Sequence, residues 1–516
     1  VIELRSQQAK LQEVCVEIRD GAPIKEIDIP WAPGTGKSSA PVIIASILIP
    51  TIADKLIWIA PRNALKYQGE AEFVNPRWET PRRLRACNGN EAAPDRGLDG
   101  YVTTFQAIGM SPGGHQDYVR KNRTVLFLDE FHHIREDSNW AAALAPMMEA
   151  ARLIVPASGT LSRGDGNAIH GMDYDASGFV DLRDTETRRV IRYTRGQAIR
   201  DGVTFAPELI TLDGSAAWIT REGVHGQAES IAAANEDRSS ALYTVLRTDF
   251  AFALLAKCLD HWSEHRKGYE QARCLIVAPD IKTAKEYHAR IAAAGHLAEI
   301  ATSDDTPACH RAVADFKNGA IRVIVSVGVC YEGLDVPQIT HVACLTHIRS
   351  VPWLEQMAAR ANRKSPGKTG AWIFAPADRA MLKAWYDIEN EVGVPLADED
   401  ERGGNAAATP GEESQLARAR LTPLWSTAHG VETVLEASPI PATIPASEAE
   451  RILRDNIRQM RATIDTQAKP GSRRALLAVF DYLARGGMKR DLEDMTTEEL
   501  TAGWMAVRER FSAKLR

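Results

Sequence analysis

Pro33-Gly34-Thr35-Gly36-Lys37-Ser38 lies between a short β-branched run, Glu26–Ile29, and a helical segment that begins near Ser39. Glycines placed this way let the backbone curl so that several N–H groups and a helix N-terminus face a polyphosphate. The lysine then neutralises β- and γ-phosphate oxygens, and the hydroxyl beside it ligates Mg²⁺. Gly34, Thr35, Gly36, Lys37 and Ser38 are the expected cradle, with Ser38 a metal ligand. Trp31 stands where Gly or Ala opens the usual pattern, which changes the entry turn but not the cradle. Further along, Val125-Leu126-Phe127-Leu128-Asp129-Glu130 is an apolar run ending in two adjacent carboxylates. A parallel strand buried on both faces reads this way, and it delivers its C-terminal residues to the crevice beside a phosphate loop. Asp129 would hold Mg²⁺ through water there, and Glu130 would polarise the attacking water. Solvated charges at a strand end would explain the pair alone; a phosphate loop in the same sheet outweighs that reading.

The same rhythm continues outward. Short β-branched runs at Glu26–Ile29, Leu56–Ala60, Gly100–Thr103, Val125–Leu128 and Leu153–Ala157 alternate with segments of helical period. A second set follows at Cys274–Ala278, Ala298–Ala301, Val323–Val327, Ile339–Cys344 and Gly370–Phe374. Strands alternating with helices predict a parallel sheet covered on both faces, here twice. Between the halves, Gly164 to Ala234 is rich in Gly, Asp and Thr, and Arg247 to Arg266 then carries Phe250, Leu254, Leu255, Leu259 and Trp262 on one helical face. Ala397 to Gln415 reads as a linker. The remainder reads as helices at Ser447–Thr466, Ser472–Arg485 and Thr496–Leu515, the last opened by a Thr496/Glu499 capping box.

Composition bounds the partners. The chain has 516 residues, 62 Lys and Arg against 68 Asp and Glu, and 44% apolar residues, enough for roughly three domains. A mini-protein or disordered tail is excluded, and the net charge of −6 disfavours a chain that coats nucleic acid by bulk charge, so any such contact must be local. Seven scattered cysteines exclude a zinc-ribbon spacing and argue against a disulfide framework. Pro41 to Ile52 is too short to span a membrane, and the N-terminus shows no apolar signal region. The expected location is cytoplasmic.

Asp129-Glu130-Phe131-His132 resembles the Asp-Glu-x-His signature of superfamily 2 helicases and translocases, and other motifs of that family follow in order. Leu4-Arg5-Ser6-Gln7-Gln8 resembles the entry segment, implying that Gln8 and Arg5 read the adenine. Pro61 to Gln68, with Pro61 and Arg62, and Val102-Thr103-Thr104-Phe105-Gln106 resemble the strand-contacting motifs. Ser158-Gly159-Thr160 resembles the segment that couples hydrolysis to lobe movement, and the resemblance gives His132 a coupling role too. In the second half, Val327 to Pro337 is similar to the Glu-Gly-x-Asp-x-Pro motif, implying Gly333 and Asp335 beside the nucleotide and Ser326 near a phosphate of the bound strand. Gln356-Met357-Ala358-Ala359-Arg360-Ala361-Asn362-Arg363 is similar to the Gln-x-x-Gly-Arg-x-x-Arg motif, with Ala359 at the usual Gly. The segment ending Ala198-Ile199-Arg200-Asp201-Gly202 resembles one found in type III restriction-like DNA translocases, which tilts the substrate towards DNA.

Some inferences rest on the residues themselves. On a helix Gln356, Arg360 and Arg363 would share one face, and guanidinium groups there suit a γ-phosphate; a solvated basic face is the plainer alternative. His132 and His133 are poorly placed to converge on one metal ion. His341 and His347 read as structural, and Trp31, Trp58, Trp78 and Trp140 as packing, with Trp31 singled out because it adjoins the phosphate loop. Arg451, Arg454, Arg458 and Arg461 form a helical stripe that could track a phosphate backbone, or be a solvated face.

The expected architecture is therefore α/β: two tandem RecA-like parallel-sheet domains followed by a helical C-terminal domain. Residues 1–205 are the first lobe, 206–395 the second, and 396–516 a linker and helical accessory domain. The expected activity is ATP- and Mg²⁺-dependent movement on or remodelling of nucleic acid, with Lys37, Asp129, Glu130, Arg360 and Arg363 catalytic. DNA is favoured; an RNA helicase, or the motor of a restriction or phage-defence complex with a separate nuclease partner, stays open. A single-module protein remodeller would not explain the second set of motifs, and a scaffold without catalysis would not need every catalytic residue type.

Overall fold

The computed structural model describes residues 3–87, 91, 93–163, 166–234, 238–328, 330, 334–392, 396 and 421–435, and then isolated positions between 457 and 506. Val1–Ala437 is one compact unit and Ser438–Arg516 a second.

Two sheets form the first unit. The first holds β1 (Glu26–Pro30), β2 (Lys55–Ala60), β3 (Leu84–Ala86), β4 (Gly100–Thr104), β5 (Thr124–Asp129), β6 (Leu153–Ser158) and β7 (Arg188–Val190) in the order β3-β4-β2-β5-β6-β1-β7. Every pairing in it is parallel. Side chains alternate across a strand, and they do so here: Ile57, Ile59, Leu126 and Leu128 join the cluster under Phe105 and Leu144, while Leu56, Trp58, Val125 and Phe127 face the cluster of Leu11 and Ile44. Burial on both faces explains why β5 is apolar without alternation.

The second sheet contains β8 (Glu208–Thr220), β9 (His225–Ala228), β10 (Arg273–Val277), β11 (Ala298–Ala301), β12 (Val323–Ser326), β13 (Ile339–Cys344), β14 (Trp372–Pro376) and β15 (Leu421–Leu435). Its order is β11-β12-β10-β13-β14-β8-β15, with β9 on β8. Pairing is parallel from β11 to β8, and β8 then pairs antiparallel with β9 and β15. The helix Asp249–Arg266 buries Phe250, Leu254, Leu255, Leu259 and Trp262, the face expected from their spacing.

All ten expected strands are present, so two parallel-dominated RecA-like sheets are the fold. No strand was expected at β3, β7, β8 or β9, the last three of which lie in the Gly-, Asp- and Thr-rich stretch Gly164–Ala234. Gly214 was misleading: a Cβ there would lie 2.5 Å from Thr427 O and 2.6 Å from Phe250 Cδ2, so this glycine marks close approach inside a sheet. The second sheet also draws on Leu421–Leu435, which carries Pro423 at its edge and had been given no strand. The helices expected at 447–466, 472–485 and 496–515 lie almost wholly outside the described residues, as do Arg451 and Arg454 of the arginine stripe. Arg461, in the same stripe, forms a two-pronged ion pair with Asp481 at 2.7 and 3.0 Å.

Candidate functional site

The parallel first sheet gathers the chemistry on one edge. Pro30 of β1 and Asp129 of β5 are level with Ser158 and Ala157 of the strand between them, so the phosphate loop, the paired carboxylates and the coupling segment leave the sheet side by side. Pro61, Arg62, Thr103 and Thr104 leave β2 and β4 on the same edge, farther along.

Gly34 and Gly36 take φ of +83° and +94°, in the left-handed region open to glycine. The turn Lys37–Ser39 then feeds the helix Ala40–Leu48. The entry segment braces this loop: Arg5 Nη1 and Gln7 Nε2 donate to Thr35 O at 2.7 and 3.1 Å, and Gln8 Nε2 donates to Ser39 Oγ at 2.8 Å. Gln7, which the sequence motif did not single out, is thus a third brace. Trp31 is fully buried and donates to Ile191 O at 2.8 Å. It anchors the loop's entry instead of offering a stacking face.

Lys37 Nζ sits 2.9 Å from Glu130 Oε1. Burial raises the Glu130 pKa, but Lys37 and the neighbouring histidines outweigh it and bring it down to about 2. Asp129 goes the other way, up to about 7, through burial and then repulsion by Glu130. Trp58 Nε1 donates to Asp129 Oδ2 at 3.3 Å. This partner is legible only from the register of β2 on β5, which sets Trp58 beside Phe127.

A polar relay crosses the cleft. The Ser158 hydroxyl donates to Thr160 O, and His132 Nδ1 lies 2.8 Å from Ser158 Oγ and 3.5 Å from Glu130 Oε2. With that hydroxyl hydrogen spent, the tautomer that completes the set carries its proton on Nδ1. Nε2 then accepts from Gln356 Nε2 of the second lobe, 3.3 Å away.

The helix expected to carry Gln356, Arg360 and Arg363 on one face stops at Ala358. Its last turns tighten, with Arg360 N donating to Met357 O at 3.1 Å and Ala361 N to Ala358 O at 3.0 Å, as happens where helix carbonyls run out of partners. Arg360 Nε and Nη1 cover Gln356 O and Leu334 O. Arg363 instead lies on an isolated bridge with Thr204, and its Nη1 pairs with Asp335 Oδ1. This still brings the second lobe to the loop, since a Cβ on Gly34 would meet Asn362 Oδ1 at 3.0 Å and Arg363 Cγ at 3.6 Å.

The residues expected to contact the strand are placed differently. Thr103 and Thr104 are buried, and Thr104 Oγ1 caps the helix Phe105–Met110 through Ala107 N. Ser326 is buried and accepts from Cys330 N at 3.1 Å. Pro61 and Arg62 are half-buried. Gly333 lies outside the described residues.

The residues fit a nucleotide. Asn362 Oδ1, Arg363 Nε, Gln356 Oε1 and Thr160 Oγ1 are buried with no hydrogen-bond partner, whereas buried polar groups are ordinarily paired. Asn362 and Arg363 are the two that reach the glycine cradle.

The two sheets, with the expected phosphate loop on one and the expected arginines on the other, are arranged as two tandem RecA-like lobes. Residues 2–162 match the family described as Type III restriction enzyme, res subunit, and residues 252–365 match the Helicase conserved C-terminal domain. The chain belongs to the superfamily 2 helicases of the type III restriction-like kind, a class of nucleic-acid-dependent helicases and translocases. An uncharacterized protein of Mycobacterium tuberculosis is 24% identical over 446 residues, covering 81% of this chain and 70% of that protein. Among solved structures, the ATP-dependent Type ISP restriction-modification enzyme LlaBIII bound to DNA matches with TM-score 0.49 and 12% identity, covering 100% of this chain and 41% of that one. The Mycobacterium smegmatis helicase Lhr bound to ssDNA and AMP-PNP matches with TM-score 0.48 and 14% identity, covering 76% of this chain and 51% of that one. No described helix is long and apolar enough to cross a membrane.

Proposed function

We propose that this chain is an ATP-dependent DNA motor whose hydrolytic site lies between residues 1–205 and the second lobe. The observation that carries this reading is the meeting of Asn362 and Arg363 with Gly34, on the loop whose Lys37 is paired with Glu130. Mg²⁺, when bound, would neutralise charge on the phosphates. The chain's own residues do the rest. Gly34 to Gly36 present backbone N–H groups, and Arg5, Gln7 and Gln8 fix the loop beside the adenine end. Ser38 and Asp129 would hold the metal, and Lys37 moves from Glu130 to phosphate. Glu130 takes the proton of the attacking water.

Arg360 and Arg363 read the γ-phosphate together with Gly333, Asp335 and Gln356, and cross-cleft arginines of this kind contribute about 10³–10⁵ in rate. The relay through His132, Ser158 and Thr160 reports that state to the edge where Pro61 and Arg62 meet the strand, while Thr103, Thr104 and Ser326, being buried, act on that surface from within. The reading extends to a nuclease or other protein partner docking through residues 396–516.

DNA is favoured by the segment at Ala198–Gly202. Its Asp201 accepts from Tyr193 Oη at 2.8 Å and from Ser6 Oγ at 3.4 Å, joining it to the entry motif. The deciding experiment compares ATPase stimulation by single-stranded DNA, duplex DNA and RNA across salt concentrations. DNA should stimulate most, with a steep salt dependence expected of a local basic groove on an acidic chain. Stimulation by RNA alone would turn the assignment to an RNA helicase, and no ATPase under any condition would overturn the site.

A further inference from the structure

Lys368 belongs to none of the motifs, yet its buried ammonium is surrounded by four backbone carbonyls. Lys368 Nζ lies 3.0 Å from Pro337 O, 2.5 Å from Ile339 O, 2.6 Å from Ala361 O and 2.8 Å from Arg363 O, four acceptors that share its three N–H groups. Lys368 is 7% exposed. Burying an ammonium costs several kcal/mol unless it is fully hydrogen-bonded, so the identity of the acceptors matters. Pro337 ends the segment that bears Asp335 and Ile339 lies just beyond it, and Ala361 and Arg363 belong to the arginine segment. One cation thus holds both nucleotide-facing segments of the second lobe by their main chains, while Asp335 and Arg363 join them by their side chains.

Local sequence explains how the lysine arrives there. Ser365-Pro366-Gly367-Lys368 closes a turn through Lys368 N to Ser365 O at 3.0 Å, with Gly367 at φ +81°. Proline followed by a left-handed glycine is the type II turn. It folds the chain back so that Lys368 reaches under Arg363. Tyr269 fixes the turn from outside, its hydroxyl 3.1 Å from Ser365 Oγ. The grip reaches the connection between lobes as well, because Phe205 N donates to Asn362 O at 2.7 Å and Thr204 bridges Arg363.

We propose that Lys368 is a positioning residue that registers Asp335 and Arg363 as one unit, so that the arginine reaches the γ-phosphate only while the ammonium holds its carbonyls. The proposal rests on the motor reading above. It is tested in the full chain by steady-state ATPase of Lys368→Met, Arg363→Lys and the double variant at saturating DNA. Lys368→Met should lower kcat by at least tenfold and leave KM for ATP within about twofold, the pattern of an interaction made only in the transition state. The double variant should be little worse than Arg363→Lys, because residues acting as a unit are not additive.

Additive losses, or an unchanged kcat in Lys368→Met, overturn the role of Lys368 while the motor reading stands. A wild-type chain without DNA-stimulated ATPase overturns both. Should Lys368→Met not fold, Gly367→Ala strains the turn without removing the charge. It should lower kcat in the same non-additive way, and an additive or absent effect overturns the proposal.

Discussion

Lys37 Nζ lies 2.9 Å from Glu130 Oε1, so the lysine expected on phosphate is paired with the expected base. Both side chains are mostly shielded, and a shielded pair binds its members to each other strongly. On the proposed reading, nucleotide would draw Lys37 to phosphate and free Glu130 for water.

Glu130→Gln should therefore do two things. Hydrolysis should fall by about 10²–10⁴-fold, the usual contribution of a general base. ATP should bind more tightly than to wild type, because Lys37 is released. Isothermal titration beside a stimulated ATPase assay measures both, and retained activity would refute Glu130 as the base.

Gly34→Ala should abolish stimulated ATPase while the first lobe stays folded. A side chain at φ +83° costs about 1–2 kcal/mol in a single residue, and its Cβ would press on Asn362 Oδ1 at 3.0 Å. Circular dichroism with ATPase rates tests this, and normal turnover would show that the second lobe has no need to approach that close.

Trp58→Phe keeps a ring against Phe127, which Trp58 meets edge-on at 5.4 Å, but removes the N–H that Asp129 Oδ2 accepts. The Mg²⁺ concentration for half-maximal ATPase should rise several-fold with KM for ATP little altered. A Mg²⁺ titration unchanged from wild type would leave Trp58 a packing residue only.

Glu355 offers a stability test. Burial lifts its pKa to about 7 against the pull of Arg195 and Lys37. A carboxyl raised on folding binds more protons in the folded chain, so its contribution is present below the usual carboxylate range and is lost as pH rises through about 7. Glu355→Gln should thus raise Tm at pH 8 relative to wild type and leave it almost unchanged at pH 5. Equal differences at both pH values would contradict the buried carboxyl.

The sequence was most legible where local rules and global fold agree. β5 announces itself because burial on both faces demands an unbroken apolar run, and the loop Pro33–Ser38 because its glycines stand directly before a lysine and a serine at a strand-to-helix junction. Legibility failed where a residue's task depends on distant chain. Gly214 looks like a loop residue until Phe250 and Thr427 crowd it. Arg360 and Arg363 look like one helical face until their partners, Leu334 O and Asp335, pull them onto different structures. Lys368 sits in a turn that looks exposed, and only the fold supplies its four carbonyls.

The parallel first sheet leaves its opposite edge without any residue of the site, and Lys121, exposed just before β5, lies there. Gln271 occupies the matching place before β10 in the second lobe. All seven native cysteines are buried. Fluorophores on cysteines introduced at those two positions would label the chain selectively, and energy transfer between them would report any change in the separation of the two lobes, far from the candidate site.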